Sequence, residues 1–340
     1  MKENDFPKYL SDFLSKYLPG QRNVSTHTIA SYRDVFKLLL IFCNSEKSIN
    51  PEKIKVSDLS KELILHFLNW LETKRKCSIS TRNQRLAVIH SFVHYVQKES
   101  PENLFELKKI LSITNKKYHR TLVAYLTGQE VQILLSQPET STYKGFRNAI
   151  LLAVLYDTGS RVQELINIRV KDGRLSSPAV IRLHGKGNKI RQVPIMGKTS
   201  EGLNLYLEMK KYHPGISRGD NYLFVNQKKK QLSRWGISYI LKKYVDKARN
   251  DNGFKVDFPV TPHVLQHSKA MHLLQSGVNL IYIRDFLGHV DCSTTEVYAR
   301  ADSEMKRNAI EKAYVNLVPE TVPKWEEDGD LMKWLNSLCN

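Results

Sequence analysis

Residues that could perform chemistry recur at fixed spacing in the last third of the chain. Leu287-Gly288-His289 is followed nine residues later by Tyr298, and His263 lies 26 residues before His289. Tyr298 offers a nucleophilic hydroxyl, and the two imidazoles offer hydrogen bonds to an anion. In a chain of net charge +18, this combination favours phosphodiester chemistry on nucleic acid.

Phosphodiester cleavage without a metal also needs positive donors on the phosphate and an acid for the leaving oxygen. Arg161 offers a planar guanidinium that stays charged, and Glu164, one helical turn later, can orient it. Lys186, in a Gly-Lys-Gly turn, can protonate the departing 5′ oxygen, and His263 adjoins a helix N-terminus that favours anions. Taken singly, these residues also fit a surface ion pair and a solvated turn.

A metal site is not expected, and neither is a cofactor. His90 and His94 are four residues apart, but the glutamate of a HExxH motif is missing. We expect His267 and His272 to be structural. No CxxC pair occurs among the four cysteines, which favours a reducing compartment such as the cytoplasm: Cys43, Cys77, Cys292 and Cys339.

The composition indicates a globular, mostly helical protein with two domains, since the chain has 340 residues of which 41% are hydrophobic. The 52 lysines and arginines exceed the 34 acidic residues, which favours a polyanionic partner, although charge alone also fits RNA or an anionic membrane. Apolar runs such as Ala149–Tyr156 are shorter than the roughly 20 residues that span a bilayer. The first residues lack the pattern of a secretory signal, so we expect a cytoplasmic protein.

Amphipathic helices are predicted upstream, within Ser25–Cys43, from about Asp58 to Lys74, and after Ser80. The third helix has Arg82 and Arg85 on a face apart from its apolar stripe, where solvent exposure and DNA contact are equally good interpretations. The stripe consists of Leu86, Ile89, Val93 and Val96.

A polar and basic stretch then predicts an interdomain linker at 112–126, and its Lys116 and Lys117 join the two arginines as candidate DNA contacts. A capping box, Thr127 with Glu130, starts the next domain. The predicted organisation is a helical domain at 1–111, the linker, a second domain at 127–315 and a tail at 316–340.

Local signals divide the second domain into elements. Gly159 should stop a buried helix, and Ser160 with Gln163 should cap the next one, so that Arg161 falls in its first turn. Two alternating segments, Val180–Leu183 and Ile190–Ile195, predict a β-hairpin whose tip carries Lys186. Further signals are a helix start at Thr261 and Pro262, a stop at Gly277, and an amphipathic helix at Leu331–Leu338 that could dock on its own chain.

Together, these motifs closely resemble the tyrosine recombinase (phage integrase) family. The resemblance rests on the order and spacing of five motifs and covers about Thr127 to Tyr314: Gly159-x-Arg161-x-x-Glu164-Leu165, Gly185-Lys186-Gly187, His263-x-Leu265-Gln266-His267, Leu287-Gly288-His289 and Tyr298. The helical region Ser25–Glu99 looks like the DNA core-binding domain of that family. The resemblance therefore implies a DNA core-binding domain at 1–111 and a catalytic domain at 127–315.

The resemblance implies a mainly α fold with a small β-hairpin or sheet, arranged as a two-domain, C-shaped clamp on duplex DNA. It implies that Tyr298 forms a 3′-phosphotyrosyl link with DNA without ATP or metal. The residues implied to contact the scissile phosphate are Arg161, Lys186, His263, the residue at 266 and His289. It further implies four protomers on two DNA sites, with the Leu331–Leu338 helix docking on a neighbour. An accessory protein that sets direction is compatible with this chain, and no membrane partner is expected.

Gln266 departs from the family, whose members have a second arginine at this position. Glutamine keeps a donor but lacks the charge, so we expect a rate loss of roughly 10² to 10³ and a recombinase of impaired catalysis, natural or engineered. A non-catalytic DNA-binding protein on the same fold and a type IB topoisomerase are the alternatives. The target site and the setting, whether integration, excision, transposition or dimer resolution, are left open by the sequence.

Overall fold

The computed structural model describes residues 5–117, 123–185, 189–212, 222–289, 293–301 and 331–338. The chain divides into two compact units, Met1–Thr121 and Leu122–Asn340. The division lies inside the stretch 112–126, whose bounds as a linker stay a prediction. Both units are mainly helical and the second contains a small sheet, which confirms the predicted fold class.

Serine caps start three helices of the first unit. The side chains of Ser25, Ser60 and Ser78 each accept the backbone N–H of the third residue after them, a common N-cap arrangement. The third predicted helix therefore begins two residues earlier than expected. The elements are α1 (Asp5–Asp12), a π-helical segment (Phe13–Gln21), α2 (Thr26–Lys47), α3 (Lys61–Thr73), α4 (Ile79–Glu99) and α5 (Leu104–Leu111).

Aromatic side chains fill the core of the first unit. Phe92 of α4 makes edge-to-face contacts with Phe13 and Phe36, at centroid distances of 5.3 and 5.0 Å. The apolar stripe predicted for α4 is buried in the same core, which confirms it: Leu86, Ile89, Val93 and Val96.

Arg82 does not lie where the sequence analysis placed it. Its position is on the buried side of α4, in line with Leu86 and Ile89, and its side chain is only 4% exposed. The guanidinium lies 3.4 Å from Glu72 and donates to the carbonyl of Thr114. The expectation of a separate, exposed face for Arg82 is wrong, because an ion pair with α3 holds this charge in the interior.

The second unit is built on α7 (Tyr143–Thr158), a largely buried helix that packs against α9 (Gly197–Tyr212) and α11 (Pro262–Gln275). The capping box predicted at Thr127 is present, and Gly159 ends α7 at a φ of +54° as predicted. The other helices are α6 (Gly128–Ser136), α8 (Val162–Asn167), α10 (Arg234–Ala248), α12 (Leu280–Leu287), α13 (Ser293–Ala301) and α14 (Leu331–Ser337).

The sheet of the second unit contains the predicted hairpin. Its antiparallel strands are β1 (Gly173–Arg174), β2 (Val180–His184) and β3 (Ile190–Pro194), in the order β1-β2-β3. Ile181 pairs with Val193, and Leu183 pairs with Arg191. Directly paired residues share a face of the sheet, so this register places Arg191 on the same side as the buried Leu183.

Helix α11 starts with Thr261 as its N-cap and Pro262 in its first turn, and Gly277, at a φ of +82°, follows its end. Both signals were predicted. Within the described ranges, we find no helix with the length and apolarity needed to cross a membrane.

Candidate active site

A short turn between α7 and α8 positions Arg161. The residue is the N-cap of α8, and its backbone N–H donates to Oε2 of Glu164 at 2.9 Å. The predicted cap of Ser160 with Gln163 is wrong by one residue. Ser160 is instead buried, and its hydroxyl has no hydrogen-bond partner among the described residues.

Glu164 joins two arginines at the base of the site. Arg161 donates from Nη1 to Oε1 of Glu164 at 3.0 Å, and Arg191 donates to both carboxylate oxygens at 3.0 and 2.8 Å. The side chain of Glu164 is 4% exposed, that of Arg191 13% and that of Arg161 33%. The carboxylate therefore holds a buried guanidinium on one side and a partly exposed one on the other.

Arg191 was missed by the sequence analysis. A signal was available, because strand alternation puts Arg191 on the same face as Val193, and a charge on the inward face of a strand needs a partner. Its Nε also donates to the carbonyl of Phe286 at 2.9 Å. Arg191 thus connects β3 to α8 and to the end of α12.

Arg161 is bound to the same helix end. Its Nη1 and Nη2 donate to the carbonyls of Leu287 and Gly288, both at 3.3 Å. Gly288 caps α12 at a φ of +65°, and a Cβ there would lie 2.7 Å from Nη1 of Arg191. Only glycine fits this turn without strain, which explains why a glycine stands directly before His289.

The Glu164 carboxylate is held ionised by its partners. Burial acts to raise its pKa, but the hydrogen bonds and charge of Arg191, followed by those of Arg161, outweigh burial and lower the pKa below the usual 4.5. A carboxylate of lowered pKa adds stability above its unfolded pKa, and that stability is lost as the pH falls through the folded value.

We expect Glu164→Gln to lower the free energy of unfolding by about 3 kcal/mol at pH 7, because it breaks a buried pair. Urea unfolding from pH 7 to pH 3 measures the loss, which should shrink below about pH 4.5, where the carboxyl also protonates in the unfolded chain. The matched control is Glu130→Gln, since Glu130 accepts the Thr127 N–H in the exposed cap of α6. Equal losses in the two variants would contradict this account.

His289 follows directly after Gly288, and its Nδ1 lies 3.0 Å from Oγ1 of the buried Thr295. Burial, reinforced by the charges of Arg161 and Arg191, lowers the pKa of His289 to about 4. The imidazole is therefore neutral at physiological pH. A neutral ring has one N–H to donate, and that proton can serve a phosphate oxygen.

Tyr298 packs between α11 and α12 and is 2% exposed. Its ring lies nearly parallel to that of His289, with the centroids 6.4 Å apart. Its hydroxyl lies 2.8 Å from Nδ1 of His267, a residue expected to be structural. Burial raises the pKa of Tyr298 to about 12, although the charge of Arg161 acts in the opposite direction.

His263 and Gln266 occupy the first turns of α11 but differ in exposure. His263 is exposed, whereas Gln266 is 4% exposed. The amide nitrogen of Gln266 has no hydrogen-bond partner among the described residues. A buried donor without a partner costs about 1 to 3 kcal/mol, so the described residues leave this amide poorly satisfied.

Lys186 lies outside the described residues, although the strands on both sides of its turn are described. In the first unit, Lys116 binds both carboxylate oxygens of Glu72 at 2.8 and 2.9 Å, and Lys117 is exposed. Nη1 of Arg85 lies 2.7 Å from Sγ of Cys77. A role of these side chains in DNA contact stays a prediction.

In the part of the chain that the structure describes, no group of three or more His, Cys, Asp and Glu side chains is placed to hold a metal ion. Among the described residues, the guanidinium of Arg161 and the imidazoles of His267 and His289 lie near Tyr298. The guanidinium and the imidazoles can bind a phosphodiester and move a proton, and the hydroxyl of Tyr298 can serve as the nucleophile.

The chain matches known families over both units. Residues 124–305 match the phage integrase family, and residues 5–102 match the N-terminal SAM-like domain of phage integrases. A Sinorhizobium fredii protein named as an integrase/recombinase, y4rC, is 35% identical over 97% of this chain and 97% of its own length. Tyrosine recombinase XerC of Herpetosiphon aurantiacus is 34% identical over 87% of this chain and 91% of its own.

Solved structures share the fold. The XerH site-specific recombinase bound to its palindromic difH substrate aligns with a TM-score of 0.67 at 21% identity, covering 86% of this chain and 82% of that one. The integrase of transposon Tn1549 in complex with a circular intermediate DNA aligns with a TM-score of 0.69 at 14% identity, covering 90% of this chain and 99% of that one.

A helical N-terminal unit followed by a catalytic unit of this kind defines the class of tyrosine recombinases, enzymes that cleave and rejoin DNA. The chain belongs to the phage integrase family. Its general activity is therefore site-specific DNA recombination, as expected from the motifs.

Proposed function

We propose that Tyr298 is the nucleophile of this recombinase. Its hydroxyl oxygen attacks the scissile phosphorus of duplex DNA and forms a 3′-phosphotyrosyl link, while the bond to the 5′ oxygen breaks. The phenol loses its proton, and the leaving oxygen takes one from Lys186 to become a free 5′-hydroxyl. The 5′-hydroxyl of the partner strand then attacks the link, so the energy of the cleaved bond is retained.

The observation that carries this proposal is the connection between Arg161 and Tyr298. Arg161 binds the last carbonyls of the α12 turn, and His289, the next residue, lies against the ring of Tyr298. The guanidinium of Arg161 is thereby brought from more than a hundred residues away to the helix end where the imidazole and the phenol lie. DNA binding by charge alone does not require this arrangement.

The other residues have proposed roles on the phosphate. Arg161 binds the non-bridging oxygens through its planar fork, and Glu164 keeps the fork oriented. His263 and His289 donate hydrogen bonds as charge develops on the oxygens. Gln266 offers its unpaired amide to the same group but supplies no positive charge, so cleavage is slower than with a second arginine.

We propose that four protomers assemble on two DNA sites and exchange the C-terminal helix. Two leucines of α14 and the leucine that follows its end are 44 to 53% exposed and so available to a neighbouring subunit: Leu331, Leu335 and Leu338. The tail after residue 315 contains five acids and two lysines, in contrast to the basic remainder of the chain. The acids all precede α14 in the sequence, and an acidic segment next to the helix suits docking on a basic neighbour.

The proposed function is tested by trapping the covalent intermediate. Short duplexes of random sequence around a single nick are incubated with the protein, so that the cleaved short strand diffuses away and the link persists. Adducts that survive denaturation are isolated and their DNA is sequenced. Recovery of one related set of sequences, each joined through its 3′ phosphate, supports the proposal and identifies the site.

Gln266 favours one rival function, a non-catalytic DNA-binding protein on the same fold. That function predicts salt-sensitive binding without any adduct, even after Gln266→Arg. Relaxation of supercoiled DNA that lacks a special site, performed by a monomer, would instead favour a type IB topoisomerase.

A further inference from the structure

Two histidines of α11 make the same kind of contact with a buried tyrosine. Nδ1 of His267 lies 2.8 Å from the hydroxyl of Tyr298, and Nδ1 of His272 lies 2.7 Å from the hydroxyl of Tyr156. Burial raises the pKa of each tyrosine to about 12. Only the first pair contains the proposed nucleophile, so the second pair is an internal reference for it.

A buried phenol that attacks a phosphate must give its proton to a base. Water near neutral pH is a weak acceptor for a group whose pKa is about 12, so a positioned side chain should accelerate the step. Within the described residues, His267 is the side chain hydrogen-bonded to the Tyr298 hydroxyl. Burial, and then the nearby His263, lower the pKa of His267 below 6.5, so its ring is neutral and able to accept.

His289 is a poorer acceptor although it also adjoins Tyr298. Its Nδ1 is engaged by Thr295, and its ring lies nearly parallel to that of Tyr298, with no hydrogen bond between His289 and the Tyr298 hydroxyl among the described contacts. Burial and the charges of Arg161 and Arg191 lower its pKa to about 4, which makes a protonated ring costly.

We propose that His267 is a catalytic residue that accepts the proton of Tyr298 during cleavage. This inference rests on the proposed role of Tyr298 as the nucleophile. As the oxygen–phosphorus bond forms, the O–H bond of Tyr298 breaks and an N–H bond forms at Nδ1 of His267. When the 5′-hydroxyl of the partner strand displaces the tyrosine, the imidazolium returns the proton to the phenolate, so His267 is regenerated in each cycle.

The titration of His267 depends on the groups around it. His263 shares its helix, Tyr298 faces it from α13, and His289 couples to it from the end of α12. Arg161 acts on both Tyr298 and His289. Burial and the nearby His263 disfavour an imidazolium at His267, so the acceptor stays neutral until the phenol proton is transferred.

The test compares His267→Gln with His272→Gln on a nicked duplex of the trapped sequence. Glutamine can hydrogen-bond to the phenol but cannot take its proton. At pH 7 we expect His267→Gln to slow adduct formation about 100-fold, and its rate should rise about tenfold per pH unit as hydroxide replaces the base. His272→Gln should keep the rate and the flat profile of the parent protein above pH 7.

Several results would overturn the inference. An unchanged or increased rate in His267→Gln would show that the histidine takes no proton or holds Tyr298 back. If His267→Gln is slower but its rate is independent of pH above pH 7, as in the parent, His267 contributes a structural hydrogen bond and is not the proton acceptor. Loss of every Tyr298-dependent adduct in the parent and in Gln266→Arg would overturn the proposed function itself, and this inference with it.

The parent protein provides a second measurement if His267→Gln fails to fold. Its cleavage rate should fall about tenfold per pH unit below the pKa of His267, because the protonated ring cannot accept. That pKa lies below 6.5. The pH at which His267 itself titrates is read from its imidazole NMR resonances, and a rate that stays constant through that pH would overturn the inference without any variant.

Discussion

Tyr298→Phe should form no covalent protein–DNA adduct while binding DNA almost as tightly as the parent. The substitution removes the nucleophilic oxygen but no positive charge, and most of the affinity for DNA comes from neutralised phosphates. Denaturing gels measure the adduct, and filter binding over a range of salt measures the affinity. The number of released counterions, read from the salt dependence, should stay the same.

The matched control is Tyr156→Phe. Tyr156 also loses a hydrogen bond to a histidine of α11, so the cost to stability, about 1 kcal/mol in each case, should be similar. Tyr156→Phe should still form the adduct. An adduct that persists in Tyr298→Phe would assign the nucleophile to another residue and end the proposed mechanism.

Gln266→Arg should accelerate adduct formation by about 10² to 10³, the usual effect of restoring one transition-state donor. The buried Gln266 has an amide nitrogen that finds no hydrogen-bond partner among the described residues. A guanidinium there would add a charge and a fork that match the phosphate. DNA affinity should change little, because one added phosphate contact raises the salt slope by only about 0.9.

Two further variants separate charge from geometry at this position. Gln266→Lys supplies a point charge without a planar fork, so its rate should lie between those of the parent and Gln266→Arg. Gln266→Met removes the donor at similar volume and should be slower than the parent. If all four proteins cleave at the same rate, the residue at 266 does not contact the phosphate.

Much of the fold could be predicted from local signals because these signals act within a few residues. The Thr127 cap, the Gly159 stop, the β2–β3 hairpin and the start of α11 depend on backbone hydrogen bonds and on φ values that neighbouring residues determine. The family motifs were visible for a similar reason, since their identity lies in residue type and spacing.

Contacts between distant elements could not be predicted in the same way. Arg82 was assigned to an exposed face because a single helix does not reveal that Glu72 of another helix neutralises it. Arg191 was missed because its partners, Glu164 and Phe286, are 27 and 95 residues away. His267 was set aside because the hydroxyl that it contacts is 31 residues further along the chain.

The amino-acid sequence by itself determined the class of the protein, the starts and ends of many elements, and the absence of a second arginine at 266. These features depend on residue type and spacing, which can be recognised without knowledge of the fold. The tertiary structure alone decided two further meetings: that of Glu164 with a second guanidinium, from Arg191, and that of Tyr298 with His267. The physical reason is that burying a polar group without a partner costs free energy. Each buried polar group therefore pairs with whichever side chain the packing of distant elements brings next to it, and the order along the chain does not reveal that partner.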